Sequence, residues 1–179
     1  MTPLLPMDAF VARMRELTAS PVDTAAVQAF LGGHLIEPAS LERFVRFEDD
    51  RYTRHLVFRD AAVELLVLCW PRGSRAPIHG HEGELCWARV ERGHLRFTSY
   101  RELSRSPLRL ATVGPPVEGK PGHVDGPADI HAVETVGAGA VSLHVYVKPY
   151  DACDIYDLDR GVVRRVRLGY DSVPAEARV

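Results

Sequence analysis

From residue 52 onward the chain is a succession of short β-forming runs, each stopped by a turn, and this texture limits the folds open to it. Alternating or continuous β-formers occupy 52–59, 62–70, 85–91, 94–101, 108–113, 131–136 and 141–148. Turn residues punctuate them at 71–73, 91–93, 114–116, 126–127 and 137–139. Many short strands at this spacing point to an antiparallel sandwich or barrel. The first fifty residues read differently. Phe10, Val11, Met14 and Leu17 recur at helical spacing within 7–17. Asp23 is placed to cap a second helix through Ala25, Val27, Phe30 and Leu31, which Gly32-Gly33 would stop. Ser40 is placed to cap a short third helix carrying Leu41, Phe44 and Val45. The chain has 179 residues, 46% of them hydrophobic, which is material for one core. The expectation is therefore a single domain over 1–179 that is mainly β, with helices in 1–50 and a small barrel or sandwich in 51–170. The tail, 162–179, reads as one more strand and a polar end.

Charge and composition exclude several functions. The net charge is −2, so there is no basic footprint for nucleic acid or an anionic membrane. No apolar run approaches the roughly 18 residues that span a bilayer, since 63–70 is interrupted by Glu64 and ends at Pro71. Residues 1–6 lack the basic and apolar regions of a signal peptide, so the expected compartment is the cytoplasm. The three cysteines, Cys69, Cys86 and Cys153, are odd in number and irregular in spacing, which suits free thiols rather than a disulfide framework.

Two of the eight histidines, His79 and His81, stand one residue apart at the expected start of a strand. Side chains at i and i+2 share a face, so both imidazoles can reach one ion. Imidazole suits zinc, copper, iron and nickel alike. The spacing Gly73, His79, His81, Cys86, Gly93 resembles the first motif of the cupin superfamily, whose members are small β-barrels of the jelly-roll kind. In that motif the place of Cys86 usually holds a glutamate, often a fourth ligand. The second cupin motif is matched at His131, with Ala128 where glycine is usual and Thr135 where asparagine is usual. A set of three neutral histidines leaves a dication its full charge and open positions. That favours direct binding of an anionic electron donor such as a thiolate, and it also describes zinc hydration sites.

Three blocks of the sequence resemble the cysteine dioxygenase family, cupin-fold thiol dioxygenases with non-haem iron. They are Arg51-Tyr52-Thr53-Arg54-His55-Leu56-Val57 with Leu68-Cys69-Trp70; Ile78-His79-Gly80-His81 through Cys86 to Gly93; and Ile130-His131-Ala132-Val133-Glu134 with Ser142-Leu143-His144-Val145-Tyr146 and Pro149-Tyr150-Asp151-Ala152-Cys153. The resemblance implies Fe(II) as cofactor, with His79, His81 and His131 as its ligands. It implies that Arg54 grips the substrate carboxylate, for which its planar fork is suited, with Tyr52 assisting. Ser142, His144 and Tyr146 would form a relay that brings a phenol to the bound substrate. Cys86 falls where animal members carry a cysteine joined to that tyrosine by a thioether, although Leu85 stands where they have histidine. The implied activity is oxidation of L-cysteine with dioxygen to cysteine sulfinic acid, with these small molecules as the partners.

Plainer readings stand beside these. Arg54 also suits a surface ion pair, Tyr146 a packed core strand, and Cys86 a small buried hydrophobe. The rival activities are 3-mercaptopropionate dioxygenation, or that of another thiol carboxylate, and a non-catalytic cupin that binds a metal or small ligand. The 3-mercaptopropionate group usually has glutamine in the place of Arg54.

Overall fold

A computed structural model describes residues 3–175; the end of the expected tail, 176–179, lies outside the described residues. Strand β1 (Leu4–Leu5) leads into helices α1 (Met7–Leu17) and α2 (Thr24–Gly33), then β2 (Leu35–Ile36) and α3 (Pro38–Glu42). The β-structure follows as β3 (Thr53–Arg59), β4 (Val63–Trp70), β5 (Arg75–Gly80), β6 (Leu85–Arg92), β7 (Leu95–Arg105), β8 (Leu108–Thr112), β9 (Val117–Gly119), β10 (Val124–Ala128), β11 (Ile130–Thr135), β12 (Ala140–Val147), β13 (Ala152–Asp157) and β14 (Val162–Arg167). Two antiparallel sheets result, one in the order β10-β6-β12-β4-β3 and the other β14-β13-β5-β11-β7-β8, with β9 alongside β7. They close on each other as the small barrel-like sandwich of a cupin. No described helix is long and apolar enough to cross a membrane.

The central strands β4 and β12 are buried on both faces, which explains their nearly continuous apolar texture. Val63, Leu65, Val67 and Cys69 face outward with Val141, Leu143, Val145 and Val147, into a core completed by Phe10, Met14, Val27 and Leu31 of the helices. Leu66, Leu68 and Trp70 face inward with Ala140 and Tyr146, against Ala76, Phe97 and Val133 of the second sheet. The period of two places every polar side chain of these strands, Glu64, Ser142 and His144, on the inner face.

The helices form where the sequence indicates, and the Asp23 side chain accepts from Ala26 N–H at 3.0 Å, as an N-cap should. Ser40 does not cap the third helix, because it lies inside α3, whose N-cap is Glu37. Its hydroxyl instead accepts from Met7 N–H at 2.7 Å, satisfying the first turn of α1 from 33 residues away. Four strands beyond those expected complete the two sheets, and β5, β9, β10 and β13 all involve residues rich in Gly, Pro or charge. One consequence corrects the expected placement of the histidine pair. His79 lies near the end of β5, and His81 just past it, rather than where a strand begins.

Arg89 fastens the helices to the sheet. It is fully buried on the outer face of β6, donates to the Glu91 carboxylate at 2.6 Å and to the carbonyl of Leu31 at 3.1 Å, and also reaches the carbonyl of His34. Its guanidinium lies 4.8 Å from the centre of the Phe10 ring. Two of the carbonyls left open at the end of α2 are thus satisfied by a cation. Arg89→Ala strands the Glu91 carboxylate, whose side chain is 3% exposed. We expect a loss of about 3–5 kcal/mol, read as a lower midpoint in urea unfolding; a midpoint unchanged would mean the pair does not hold the layers together.

Candidate metal centre and the adjoining cavity

The sheet that carries β5 and β11 sets two histidines directly opposite each other, His79 against His131. His81 follows one residue later, and the ligand atoms of all three lie within 4.8 Å of one another. The three ring centroids are 4.8–5.0 Å apart and the planes meet edge-on at 66–77°. Each ring is aimed by its Nδ1. His79 Nδ1–H donates to the Pro77 carbonyl at 2.8 Å, and His81 Nδ1–H to the Asp129 carbonyl at 2.6 Å. A carbonyl only accepts, so the proton sits on Nδ1 and the lone pair on Nε2. His131 Nδ1 faces Asp125 Oδ2 at 3.3 Å. The Nε2 atoms of His81 and His131 are buried with no hydrogen-bond partner among the described residues.

Burial, reinforced by the neighbouring rings, pushes His79 down to about 3 and His81 well below the ordinary histidine range. These rings therefore stay neutral, and protons do not supply what their lone pairs lack. Buried acceptors without partners are costly. A cation among three converging Nε2 atoms, each ring oriented through its other nitrogen, removes that cost. The residues present fit a divalent metal of the kind imidazole favours.

Beside this cluster runs a chain of hydrogen bonds on the inner face of β12. Trp70 Nε1–H donates to Ser142 Oγ at 2.8 Å, Ser142 Oγ lies 2.9 Å from His144 Nε2, and His144 Nδ1 lies 3.3 Å from the Tyr146 hydroxyl. Burial holds His144 well below and Tyr146 well above their ordinary ranges, so both are neutral. With Trp70 donating into Ser142, the serine O–H is free to donate to His144 Nε2. His144 Nδ1–H then donates to Tyr146, and the phenol keeps its own proton for the cavity. Tyr146 stands directly opposite Cys86 across the β6–β12 pair. Cys86 is fully buried, and burial pushes its thiol well up, so it is a neutral thiol.

A cavity of about 390 Å³ adjoins both groups, and Tyr52, Arg54, His79, His144, Tyr146, Tyr150 and Cys153 line it. Three arginines, Arg54, Arg164 and Arg167, are among its described lining residues, and no carboxylate is. Arg54 is the innermost in electrostatic terms. Its Nε is buried without a partner. Burial opposes its charge, but a guanidinium is basic enough to remain a cation here. Its backbone is clasped from both sides by Asp171: Arg54 N–H donates to the carboxylate at 2.7 Å, and Asp171 N–H donates to the Arg54 carbonyl at 2.8 Å. Tyr52 stacks on Trp70, with centroids 4.7 Å apart and planes at 22°. The result is a cavity with one buried free cation, neutral imidazoles and phenols, which suits a small anion. A larger cleft of about 980 Å³ beside α1, β3 and residues 172–175 contains none of these groups.

The fold thus brings all nine residues singled out in the sequence to one region. The sequence reading assigned no role to five others. Trp70 anchors both Ser142 and Tyr52, and Tyr150 packs edge-on to Tyr146 at 5.7 Å. Asp125, Asp129 and Asp171 orient His131, His81 and Arg54. Only Trp70 carried a readable signal, since a buried indole N–H needs an acceptor.

The family model described as cysteine dioxygenase type I matches residues 6–159. The chain belongs to the cysteine dioxygenase family. It is 27% identical over 156 residues to cysteine dioxygenase type 1 of Homo sapiens, covering 84% of this chain and 78% of that protein. Against the enzyme of Rattus norvegicus the identity is 29% over 161 residues, with the same coverage of 84% and 78%. Among solved structures, a cupin superfamily protein of Desulfitobacterium hafniense aligns at 14% identity with a TM-score of 0.49, over 63% of this chain and 92% of that one. The family match ends before β14, so the segment that clasps Arg54 lies beyond it. Removing the carboxylate behind His131 tests this orientation: Asp125→Ala should weaken metal binding about 10- to 100-fold. Competition with a chromophoric chelator measures it, and full affinity would make Asp125 a bystander.

Proposed function

We propose that this member of the family is a thiol dioxygenase that oxidises L-cysteine with dioxygen to cysteine sulfinic acid, at Fe(II) held by His79, His81 and His131. One observation carries the reading: a three-histidine cluster, through His79, and a buried, unpaired arginine adjoin the same small cavity. Fe(II) in that set would supply activation of dioxygen next to a bound thiolate, with both oxygen atoms passing to sulfur. Because the ligands are all neutral, the centre retains the charge that draws a thiolate, and no strong base is needed to prepare it.

The remaining roles belong to the chain. Arg54 receives the carboxylate on its fork, supported by Tyr52, and this fixes the thiol end toward the histidines. Tyr146 directs its O–H at the reacting sulfur, its orientation set through His144, Ser142 and Trp70. Closure of the site by Tyr150, Leu168 and Gly169 limits water around the charged groups. The cross-strand pairing of Cys86 with Tyr146 supports a further modification. With dioxygen as oxidant, the Cys86 sulfur joins the phenol ring as a thioether, and the thiol hydrogen and a ring hydrogen are lost.

Anaerobic loading with Fe(II), followed by oxygen uptake with L-cysteine, 3-mercaptopropionate and cysteamine, tests the assignment. L-cysteine should be the fastest. Arg54→Gln should lower its kcat/KM about 10- to 100-fold, the worth of a charged bidentate contact. Faster uptake with 3-mercaptopropionate would move the substrate, and no uptake with any thiol would leave a binding protein. Intact mass after turnover should show a population lighter by two hydrogen atoms, absent in Cys86→Ala.

A further inference from the structure

Glu64 is a carboxylate on the inner face of the barrel. It is in phase with Leu66, Leu68 and Trp70 on β4, directly opposite Tyr146 on β12, and only 2% exposed. A buried carboxylate is tolerated only where it is paired and hydrogen-bonded. Here Arg59 Nη1 donates to Glu64 at 3.1 Å, and the Tyr170 hydroxyl donates to the same oxygen through a short bond. Arg59 Nη1 also donates to the Tyr170 oxygen at 2.6 Å, and Arg59 Nη2 to Asp151 at 2.8 Å.

This network joins the turn end of the β3–β4 hairpin to two stretches of chain that have no ladder of their own at the cavity. The first, 150–151, carries Tyr150 into the cavity against Tyr146. The second, 168–171, contributes Leu168 and Gly169 to the wall and Asp171 to the backbone of Arg54. For stability alone the arrangement is a poor solution, since well-packed apolar side chains do as well as a buried ion pair. What hydrogen bonds add is direction.

We propose that Glu64 is a positioning residue for the substrate carboxylate: through Arg59 and Tyr170 it fixes the two segments that hold Arg54 and Tyr150 around the bound thiol acid. It also occupies Arg59, so that Arg54 is the inner cation left for the substrate. The proposal rests on the thiol-carboxylate reading of the cavity and adds a residue that touches neither substrate nor metal. A role confined to stability weakens every ligand alike. A role in the clamp weakens only ligands that carry a carboxylate.

The test compares L-cysteine with cysteamine, which lacks the carboxylate. Calorimetric titration into Zn(II)-loaded protein reads binding without turnover, and oxygen uptake by Fe(II)-loaded protein reads KM and kcat. Glu64→Gln keeps the shape and removes the charge. It should raise Kd and KM for L-cysteine about tenfold, with kcat and cysteamine binding within about twofold of wild type. Tyr170→Phe should act in the same direction, and it carries the test if Glu64→Gln fails to fold. Equal weakening of both thiols, or of neither, overturns the proposal. Absence of oxygen uptake by wild type overturns the dioxygenase reading alone, because the calorimetric comparison still decides the role of Glu64. Absence of L-cysteine binding by wild type overturns both.

Discussion

The structure depends on one constraint, that β4 and β12 are covered on both faces. The helices lie on their outer side and the second sheet on their inner side, so each strand has a wholly apolar outer row and a mixed inner row. The inner row is far from water, and its polar side chains have to satisfy one another. That is why Ser142, His144 and Tyr146 form a chain with Trp70 rather than three separate contacts. Loosening the helices would open the outer core first, and the inner row would lose its register with it. Arg89 links α2 to β6 on that outer side.

Electrostatically, the inner face is arranged around very few charges. His79, His81, His144 and Tyr146 are kept neutral by burial. Glu64 is matched by Arg59, which leaves Arg54 as the inner charge without a direct partner. In a site of low effective dielectric such a cation attracts an anion far more strongly than a surface arginine does. The backbone of Arg54 is held by Asp171, and no ion pair among the described residues neutralises its side chain.

The parts legible in the sequence are those governed by local periodicity. The period of two over 141–148 places Ser142, His144 and Tyr146 on one face, and the helical spacing of Phe10 and Met14 gives α1 its bounds. Ser40 shows where local rules stop. Its type identifies a capping residue, but the helix it caps is fixed by tertiary packing. The same holds for β5. Arg75–Gly80 contains Pro77 and Gly80 and has little strand propensity, yet it is a strand because β11 and β13 flank it. His79 and His131 oppose each other only through that pairing, so their convergence was legible through the family resemblance and not from the local pattern of either segment. Asp125 and Asp171 were invisible for a like reason, since isolated acidic residues are ordinary and only their partners distinguish them.

The C-terminal stretch extends this argument to the boundary of the site. Ser172 pairs with His55 in a parallel bridge, its hydroxyl lies 2.8 Å from His55 Nδ1, and Leu56 N–H donates to the Ser172 carbonyl at 3.0 Å. Residues 171–172 thus run beside β3 as a partial edge strand, next to Arg54. An edge strand left open on β3 would leave its N–H groups to water and its arginine loosely held. With the edge covered, Arg54 is constrained by β4 on one side and by this stretch on the other. The placement of Arg54 is therefore a product of two segments more than a hundred residues apart, and it is fixed through the backbone rather than through the side chain itself.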